Sequence, residues 1–420
     1  MEDSKTPGFD EKSKVSLLVN VKPQAAKPQI GVFYDLINEI YGDKLRKNEM
    51  TGKPERFDDT LNAWVEWNDV DDARLAGYFQ SSYGLYNLKM LEKATMIYFD
   101  NKKVNPLIDL LESLEWDGVS RIERFLSIAV KCEDTPYNRE VSRLIFAGGI
   151  HRAYRPGCKF DDMPVLVGAQ GGGKSTLVRW LNIEDQYFRE IKTISGKEGI
   201  EALRGVWIGE VAELMAMTRV KEAEAVKAYI TAQEDSYRAP YNRHIETIPR
   251  RCTFIGTTNN PQFLSDKTGN RRFYPVQCKE DGYALLAREE EIKELIRKCW
   301  AEAVALYRTG KLDPYAKKEL LDDIKEAQAE AMEDDWRVGA IKGFLENCKK
   351  DPESLVCVIE LWHYALDEPD DRKPERADSI EIGKIMNEIP GWERSKKPVR
   401  LAKWGTQRVW KKVDSDFYPF

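Results

Sequence analysis

Residues 168–175, Gly168-Ala-Gln-Gly-Gly-Gly-Lys-Ser175, fit the pattern G-x-x-x-x-G-K-[ST] at every position. They follow the apolar run Met163-Pro-Val-Leu-Val167 and precede Thr176-Leu-Val-Arg-Trp-Leu181, which has a helical pattern. This strand–loop–helix order is the context that a phosphate-binding loop requires. Glycines let backbone N–H groups turn inward around a phosphate, and the helix N-terminus adds partial positive charge. The segment therefore predicts a nucleotide-binding site, against the alternative of a glycine-rich turn without a ligand.

The residues of this loop have distinct predicted roles. The ammonium of Lys174 is expected to contact the β- and γ-phosphates of ATP, and the hydroxyl of Ser175 is expected to bind Mg²⁺. ATP and Mg²⁺ are accordingly the predicted cofactors. The residues expected to bind the nucleotide are Gly168, Gln170, Gly171, Gly172, Gly173, Lys174, Ser175 and Thr176.

Carboxylates follow a second apolar run, in Gly205-Val-Trp-Ile-Gly-Glu-Val-Ala-Glu213. One acid of such a pair holds Mg²⁺ through water, and the other orients or deprotonates the attacking water. Glu210 is a predicted metal ligand, and both Glu210 and Glu213 are candidates for the base. Acids three apart face opposite sides of a continuing strand, but both reach the phosphate at a strand-to-helix transition. Surface acids after a buried strand are the alternative.

Polar side chains also follow a third strand and precede a fourth. Asn259 ends Cys252-Thr-Phe-Ile-Gly-Thr-Thr-Asn259 and would orient the attacking water if this strand lies beside that of the loop. The alternative is that Asn259-Asn-Pro261 is only a turn.

Arg271 and Arg272 are suited to reach the γ-phosphate of a neighbouring subunit as an arginine finger. The alternative is that they form ion pairs at the surface.

Short β-rich runs alternate with helical segments after residue 156, and this predicts an α/β fold with a parallel sheet covered on both faces. The runs are Val165–Val167, Val206–Ile208, Thr253–Gly256 and Phe273–Val276. The predicted domains are a disordered arm (1–30), an N-terminal helical domain (31–105), the nucleotide-binding domain (106–335) and a small basic C-terminal domain (336–420).

The composition excludes several classes of protein. The 420-residue chain is 42% apolar and 32% charged, which provides a large core and excludes a wholly disordered or fibrous protein. With 65 Lys and Arg against 71 Asp and Glu, nucleic acid would have to bind at a local basic patch. Seven scattered cysteines without a C-x-x-C pair argue against a structural zinc site or a disulfide framework. Because no signal-peptide pattern or membrane-length apolar run is present, we expect a cytoplasmic protein without a membrane partner.

The C-terminal segment is a candidate DNA-binding region. Residues 391–412 carry eight Lys and Arg against one Glu, with three tryptophans interleaved. Helical patterns followed by this Lys- and Arg-rich hairpin resemble a winged helix, a fold that binds duplex backbone and groove. A basic face on a structural lid is the alternative. The residues predicted to contact DNA here are Lys396, Lys397, Arg400, Lys403 and Arg408.

The order of the motifs resembles the superfamily 3 helicases of viruses and mobile elements, within the AAA+ ATPases. More closely, it resembles the virulence-associated protein E family of prophages and phage-inducible islands. Besides the phosphate-binding loop, the segments that carry the resemblance are LEWDGVSR (114–121), RPGCKFD (155–161), VWIGEVAEL (206–214), YRAPY (237–241), FIGTTN (254–259) and GNRRF (269–273).

The resemblance implies a ring, usually a hexamer, that hydrolyses ATP and translocates on single-stranded DNA in the cytoplasm of the bacterial host. It implies origin duplex DNA, a separate primase or other replication factors as further partners. It assigns Walker A to Lys174 and Ser175, Walker B to Glu210 and Glu213, sensor 1 to Asn259, and the arginine finger to Arg271 or Arg272. Many superfamily 3 members have adjacent Walker B acids, whereas two residues separate them here.

The same resemblance gives a role to the segment between the second and third strands. Tyr241 and Ile245 flank Asn242-Arg243-His244, a pattern that favours a short hairpin with a basic tip. In superfamily 3 rings a hairpin at this position lines the pore and grips DNA, which implies DNA contacts for Arg243 and His244. A plain solvent-exposed hairpin is the alternative.

Three functions are compatible with these patterns. The leading hypothesis is an ATP-dependent replicative DNA helicase of a prophage or mobile element. The second is an ATP-dependent origin-binding initiator or loader without unwinding activity. The third is a kinase that uses the same loop; the arginine pair and the absence of an evident acceptor-binding insert argue against it.

Overall fold

The computed structural model describes residues 29–194, 196–212, 220–237, 246–264, 270–332, 336–351, 353–369 and 371–413. The predicted disordered arm over residues 1–30 therefore lies almost wholly outside the described residues. The chain divides into two compact units, Met1–Met332 and Glu333–Phe420, a division close to the predicted start of the C-terminal domain at residue 336. The segments predicted as an N-terminal and a nucleotide-binding domain belong to the same first unit.

The N-terminal part of the first unit combines three helices with a small sheet. The helices are α1 (Ile30–Tyr41), α2 (Asp69–Tyr83) and α3 (Leu88–Asn101). The strands are β1 (Leu45–Asn48), β2 (Pro54–Asp58), β3 (Ala63–Glu66) and β4 (Lys103–Val104). They pair in the order β3-β2-β1-β4, antiparallel except for β1 with β4. The prediction of a helical domain over residues 31–105 is therefore wrong: the three helices are present, but the segment is mixed α/β.

The central part of the first unit carries a longer series of elements. Its helices are α4 (Pro106–Glu112), α5 (Phe125–Ala129), α6 (Pro136–Tyr154), α7 (Lys174–Leu181), α8 (Gly196–Glu201), α9 (Val220–Thr231), α10 (Gly282–Ala287), α11 (Glu289–Arg308) and α12 (Leu321–Glu330). Its strands are β5 (Met163–Val167), β6 (Phe188–Glu190), β7 (Ile208–Ala212), β8 (Glu234–Tyr237), β9 (Glu246–Pro249), β10 (Thr253–Thr258) and β11 (Phe273–Gln277).

Among the described residues, five of these strands form a parallel sheet in the order β11-β5-β10-β7-β6. The predicted parallel sheet is thus confirmed. Every residue of β5 is buried because both faces of the sheet are covered. Leu166 packs in one core cluster with α6, α7 and α11, whereas Val165 and Val167 pack in a second cluster on the other face. No helix in the described part of the chain has the length and apolar character needed to cross a bilayer.

The second unit has its own apolar core and its own sheet. Its elements are α13 (Trp336–Cys348), β12 (Leu355–Cys357), α14 (Val358–Tyr364), α15 (Arg376–Glu388), β13 (Trp392–Arg394), β14 (Val399–Leu401), β15 (Gly405–Gln407) and β16 (Val409–Lys412). The strands β12, β16 and β13 pair antiparallel in that order, and β14 and β15 form a separate hairpin between β13 and β16. The basic segment 391–412 therefore forms two strands of the sheet and the hairpin that joins them.

Candidate nucleotide-binding site

The loop 168–173 lies at the carboxyl edge of the parallel sheet, between β5 and α7. Parallel strands end at the same edge, so the segments that follow β5, β7 and β10 converge there. The backbone N–H of Gly168 donates to the carbonyl of Thr258 over 3.1 Å, which holds the start of the loop against the end of β10. The strand with Asn259 thus lies directly beside the strand of the loop, as the proposed role of that residue requires.

The loop needs glycine at specific positions. Gly171 and Gly173 have φ angles of 79° and 75°, a left-handed conformation that other residues adopt only with strain. A Cβ atom at Gly173 would lie 2.5 Å from a side-chain carbon of Leu285. α7 starts directly after this glycine, at Lys174. The N–H groups of the first helical turn therefore stand at the loop, where an anion is stabilised by the helix dipole.

Lys174 is buried, and its ammonium lies against the loop. Its Nζ donates to the carbonyls of Gly168 and Ala169 over 2.8 and 2.7 Å. Burial lowers the pKa of Lys174, while the nearby Cys278 and Glu210 act in the opposite direction. The charge is thus held at the loop by neutral acceptors, and no carboxylate of the described residues pairs with it directly, so it is available to an anion that binds there.

Two hydroxyl groups converge on one oxygen of Glu210. Ser175 Oγ and Thr257 Oγ1 each donate to Glu210 Oε1 over 2.6 Å. Glu210 is 2% exposed and lies in the middle of β7, paired with Ile255 of β10. Mg²⁺ prefers oxygen ligands and commonly takes only one or two from the protein, with the rest from water and phosphate. The hydroxyl of Ser175 and the carboxylate of Glu210 fit such a site.

The remaining predicted residues of this edge are only partly covered by the structure. Asn259 directly follows β10 and is exposed at the edge of the loop. The side chain of its neighbour Asn260 is bonded within the turn, to the backbone of Gln262. Glu213 lies outside the described residues. The structure therefore brings Lys174, Ser175 and Glu210 together, with Asn259 on the adjacent strand.

Two residues that support this edge were not predicted from the sequence. Asn182, at the end of α7, is fully buried. Its side-chain amide donates to the backbone carbonyl of Ile208 and accepts from the backbone N–H of Ile208, so it connects the helix of Ser175 to the strand of Glu210. Gly282, the first residue of α10, packs against Gly171: a Cβ atom there would lie 1.9 Å from the carbonyl oxygen of Gly171. Both contacts join segments that are distant in the chain. The sequence shows only that residue 182 is polar and residue 282 is small, which does not predict either contact.

Replacing Gly282 with alanine is expected to displace the loop 168–173, the predicted phosphate-binding loop. The new methyl group cannot be accommodated beside the Gly171 carbonyl, and a shift of about 1 Å in a catalytic site can lower the rate on the order of 10²-fold. We expect ATPase activity to fall by about this factor, with weaker ATP binding by calorimetry. Gly77→Ala in α2 is a matched control, because nothing lies within 4 Å of a Cβ at Gly77. Wild-type ATP affinity and turnover in Gly282→Ala would contradict this role.

Arg271 and Arg272 lie at the opposite edge of the sheet. They precede β11, whose first residue pairs with Met163 at the start of β5. At about 3.3 Å per residue, the five-residue strand β5 separates them from the loop by roughly 16 Å. The structure therefore does not bring the arginines together with Lys174 in one chain.

The arginines line a cavity of about 280 Å³ together with Asp161, Asp162 and Tyr274. Arg271 is exposed, whereas Arg272 is half-buried and its Nε lies 3.7 Å from an oxygen of Asp161. Burial, and next the charge of Asp161, raise the pKa of Asp162 to about 7. Asp162 is therefore only partly ionised near neutral pH, and the cavity keeps a net positive charge beside the two arginines.

The predicted DNA contacts fall in two regions. Arg243 and His244 lie outside the described residues, although the strands β8 and β9 on either side of them pair antiparallel. In the second unit, the predicted contacts are all exposed on or next to the β14–β15 hairpin: Lys396, Lys397, Arg400, Lys403 and Arg408.

Comparisons with known proteins agree with this architecture. The family model described as the virulence-associated protein E-like domain matches residues 111–336. An apo structure of the NrS-1 C-terminal region has a TM-score of 0.51 and 12% sequence identity, over 93% of this chain and 100% of that chain. A structure of the A form of the same region has a TM-score of 0.50 and 13% identity, over 92% and 100% of the two chains. At these identities the likeness shows a shared fold alone. Among curated proteins, none matches significantly.

Proposed function

The chain belongs to the family of virulence-associated protein E-like domains, and from that premise we propose that it is an ATP-driven DNA helicase that forms a ring. The family match associates the chain with the replication of phages and mobile elements in general terms. The further proposal is that ATP hydrolysis between subunits drives translocation on single-stranded DNA. An origin-binding initiator or loader that hydrolyses ATP without unwinding is the alternative.

The arrangement of Lys174, Ser175 and Glu210 is the observation that carries this proposal. An ammonium, a hydroxyl and a carboxylate meet at the carboxyl edge of a parallel sheet, beside a helix N-terminus. These are the groups that a P-loop ATPase uses for phosphate and Mg²⁺. The insertion of β10 between β5 and β7 supports the assignment to AAA+ ATPases, because it presents Asn259 between the loop and the acidic strand.

The chain's own residues would divide the chemistry as follows. N–H groups of the loop and the first turn of α7 bind the β-phosphate, and Lys174 neutralises charge on the β- and γ-phosphates. Ser175 and Glu210 would hold Mg²⁺, which when bound neutralises charge on the β- and γ-phosphate oxygens. Asn259 orients the attacking water from the adjacent strand, and Glu213 is retained as a candidate for the base that accepts its proton.

The position of the arginines supports a composite site between subunits. Arg271 and Arg272 lie too far from the loop of their own chain to act on its nucleotide, so either would have to act across an interface. Arg271 is the better candidate for the finger because it is exposed, whereas Arg272 lies against Asp161. A finger supplied in trans makes a ring or chain of subunits necessary for hydrolysis.

Mixing two inactive variants tests the arginine in trans. Arg271→Ala retains an intact loop and Lys174→Ala retains an intact arginine, so a mixed ring contains interfaces with both groups. We expect each variant alone to be inactive and an equimolar mixture to recover ATPase activity, since about a quarter of interfaces are complete if subunits mix at random. The same mixture with Arg272→Ala shows which arginine acts. No recovery with either arginine variant would contradict action in trans.

A strand-displacement assay on forked DNA tests the helicase itself. Unwinding that requires ATP and Mg²⁺, and that is absent in Lys174→Ala, is the expected result. ATPase activity without strand displacement would instead favour the initiator or loader. Absence of both activities in the wild-type protein would overturn the proposed motor.

The topology of the second unit supports a winged helix. The order helix, strand, two helices, strand, hairpin and strand, with β16 between β12 and β13, gives a three-stranded sheet with a protruding β14–β15 hairpin. We propose that this unit contacts duplex DNA next to the replication fork or origin.

A further inference from the structure

We infer that the second unit binds the phosphate backbone of duplex DNA through its hairpin region, without reading the base sequence, and that α15 does not serve as a recognition helix. The identification of the nucleic acid as DNA rests on the proposed function. The surface in question, called here the wing surface, consists of Lys396, Lys397, Arg400 and Arg408.

The four cations of the wing surface are close in the fold. Lys396 and Lys397 lie in the loop between β13 and β14, Arg400 is in β14, and Arg408 links β15 to β16. Ser395 donates its backbone N–H to the carbonyl of Val409 over 2.8 Å. The residues immediately beyond this pair, Lys396 and Arg408, therefore occupy neighbouring positions. Like charges placed side by side repel each other, and a bound phosphate relieves that repulsion.

The charges of the wing surface are available. All four side chains are exposed, and none of them forms an ion pair within the described part of the chain. Lys403 differs, because its Nζ lies 4.9 Å from the ring centre of Tyr364 and 4.8 Å from that of Trp404. We therefore leave Lys403 out of the wing surface, although it was among the predicted contacts.

The three tryptophans near the wing surface are wholly or partly packed within the second unit, and Trp392 is half-buried against its core. Trp410 is 1% exposed and donates its Nε1–H to Asn387. Trp404 is half-buried and stacks on His363 with ring centres 5.6 Å apart. Surfaces that hold single strands combine positive charge with aromatic rings on which bases stack. The wing surface has the charge without such rings, which favours a duplex backbone over a single strand.

The exposed face of α15 is poorly suited to the major groove. The helix contains two basic residues, Arg376 and Lys384, against Asp378, Glu381 and Glu388. Glu381 is ion-paired with Arg337 of α13. The helix therefore has no excess of positive charge, and it gains no attraction from the phosphates on both sides of the groove. Asn387, whose amide could read a base edge, accepts the hydrogen bond from Trp410 instead. Sequence readout through this helix is therefore not supported, in contrast to the usual winged-helix mode.

Binding of labelled duplex DNA by the full-length chain tests this inference. The wing variant is Lys396→Gln, Lys397→Gln, Arg400→Gln and Arg408→Gln together. The control variant is Lys342→Gln, Lys373→Gln, Arg376→Gln and Lys384→Gln, which removes the same charge from exposed residues of the same unit and includes both cations of α15. Fluorescence anisotropy without nucleotide, over a range of salt concentrations, measures affinity for two unrelated duplexes and for an oligo(dT) single strand.

We expect the wing variant to bind both duplexes about tenfold or more weakly. The plot of log K against log salt should also become less steep by about 3 to 4, which is the value for four lost phosphate contacts. The control variant should bind like the wild type, and both duplexes should bind equally. Unchanged binding by the wing variant, an equal loss in the control variant, a loss of oligo(dT) binding in the wing variant as large as its loss of duplex binding, or a strong preference for one duplex would each overturn the inference.

The result is separable from the proposed motor. ATPase activity without DNA should be the same in the wing variant as in the wild type, because none of the four residues belongs to the nucleotide-binding site. Thermal unfolding of both variants checks that the second unit remains folded. Absence of ATPase activity in the wild type would contradict the proposed motor alone. Unchanged salt dependence of DNA binding in the wing variant would contradict this inference alone.

Discussion

Replacing Lys174 with alanine is expected to abolish nearly all ATP hydrolysis, with a fall of about 10²–10³-fold in the rate. Removal of one preorganised group that stabilises developing charge typically has an effect of this size. Lys174 is the cation that lies within the loop, held by the carbonyls of Gly168 and Ala169. Its loss removes both the charge that would face the phosphates of bound ATP and two hydrogen bonds that shape the loop. We therefore expect weaker ATP binding in calorimetry as well as slower turnover.

The control for this variant is Lys311→Ala, which removes an exposed lysine from the same unit. It should hydrolyse ATP at the wild-type rate. Circular dichroism and thermal unfolding distinguish a local effect at the loop from a folding defect. Hydrolysis by Lys174→Ala within threefold of the wild type would mean that the loop is not the catalytic phosphate site.

The parts of the site that were predictable are those whose chemistry is local. The loop 168–175 needs consecutive glycines, a lysine and a hydroxyl at fixed spacing, so its sequence alone specifies its conformation and its place between β5 and α7. The apolar runs of β5, β10 and β11 are dense in β-branched and aromatic residues, and each contains the strand predicted for it. Their alternation with helices predicted the parallel sheet.

The parts that were missed depend on contacts between distant segments. The predicted strand over 206–208 is shifted: β7 runs from Ile208 to Ala212 and contains Glu210 as a buried residue. A buried carboxylate in a strand centre is tolerated because Ser175 and Thr257, remote in the chain, both donate to it. A sequence pattern does not show such partners. The prediction therefore ended the strand before Glu210.

The N-terminal sheet was missed for a similar reason. β1 and β2 contain charged residues and Pro54, which give little β-strand signal, and β4 has two residues. Pairing supplies the stabilisation that propensity lacks: Arg46 forms an ion pair with Glu55 on the adjacent strand and lies over the ring of Trp64. The helices of the same segment were predictable because their apolar spacing is local; α2, for example, begins at a capping box with Asn68 and Asp71.

Replacing Glu210 with glutamine is expected to lower Mg²⁺-dependent ATP hydrolysis by about 10²–10³-fold, the other large effect. Glutamine has nearly the same shape, and its side-chain carbonyl still accepts hydrogen bonds from Ser175 and Thr257, so the fold should be retained. What is lost is the negative charge that would hold Mg²⁺ opposite the loop. We therefore expect the affinity for ATP without Mg²⁺ to be nearly unchanged, and the gain in affinity on adding Mg²⁺ to be lost.

The matched control for this last variant is Glu190→Gln on β6, because Glu190 pairs directly with Glu210 across the two strands. Glu190 is exposed, whereas Glu210 is buried beneath two hydroxyl groups. The two substitutions remove the same charge from neighbouring positions of one sheet, so a general electrostatic effect on ATP would appear in both. If Mg²⁺ binding depends on a carboxylate at position 210 in particular, only Glu210→Gln loses the gain in ATP affinity on adding Mg²⁺. Wild-type Mg²⁺ dependence in Glu210→Gln would instead place the metal-binding acid elsewhere, with Glu213 the first residue to test.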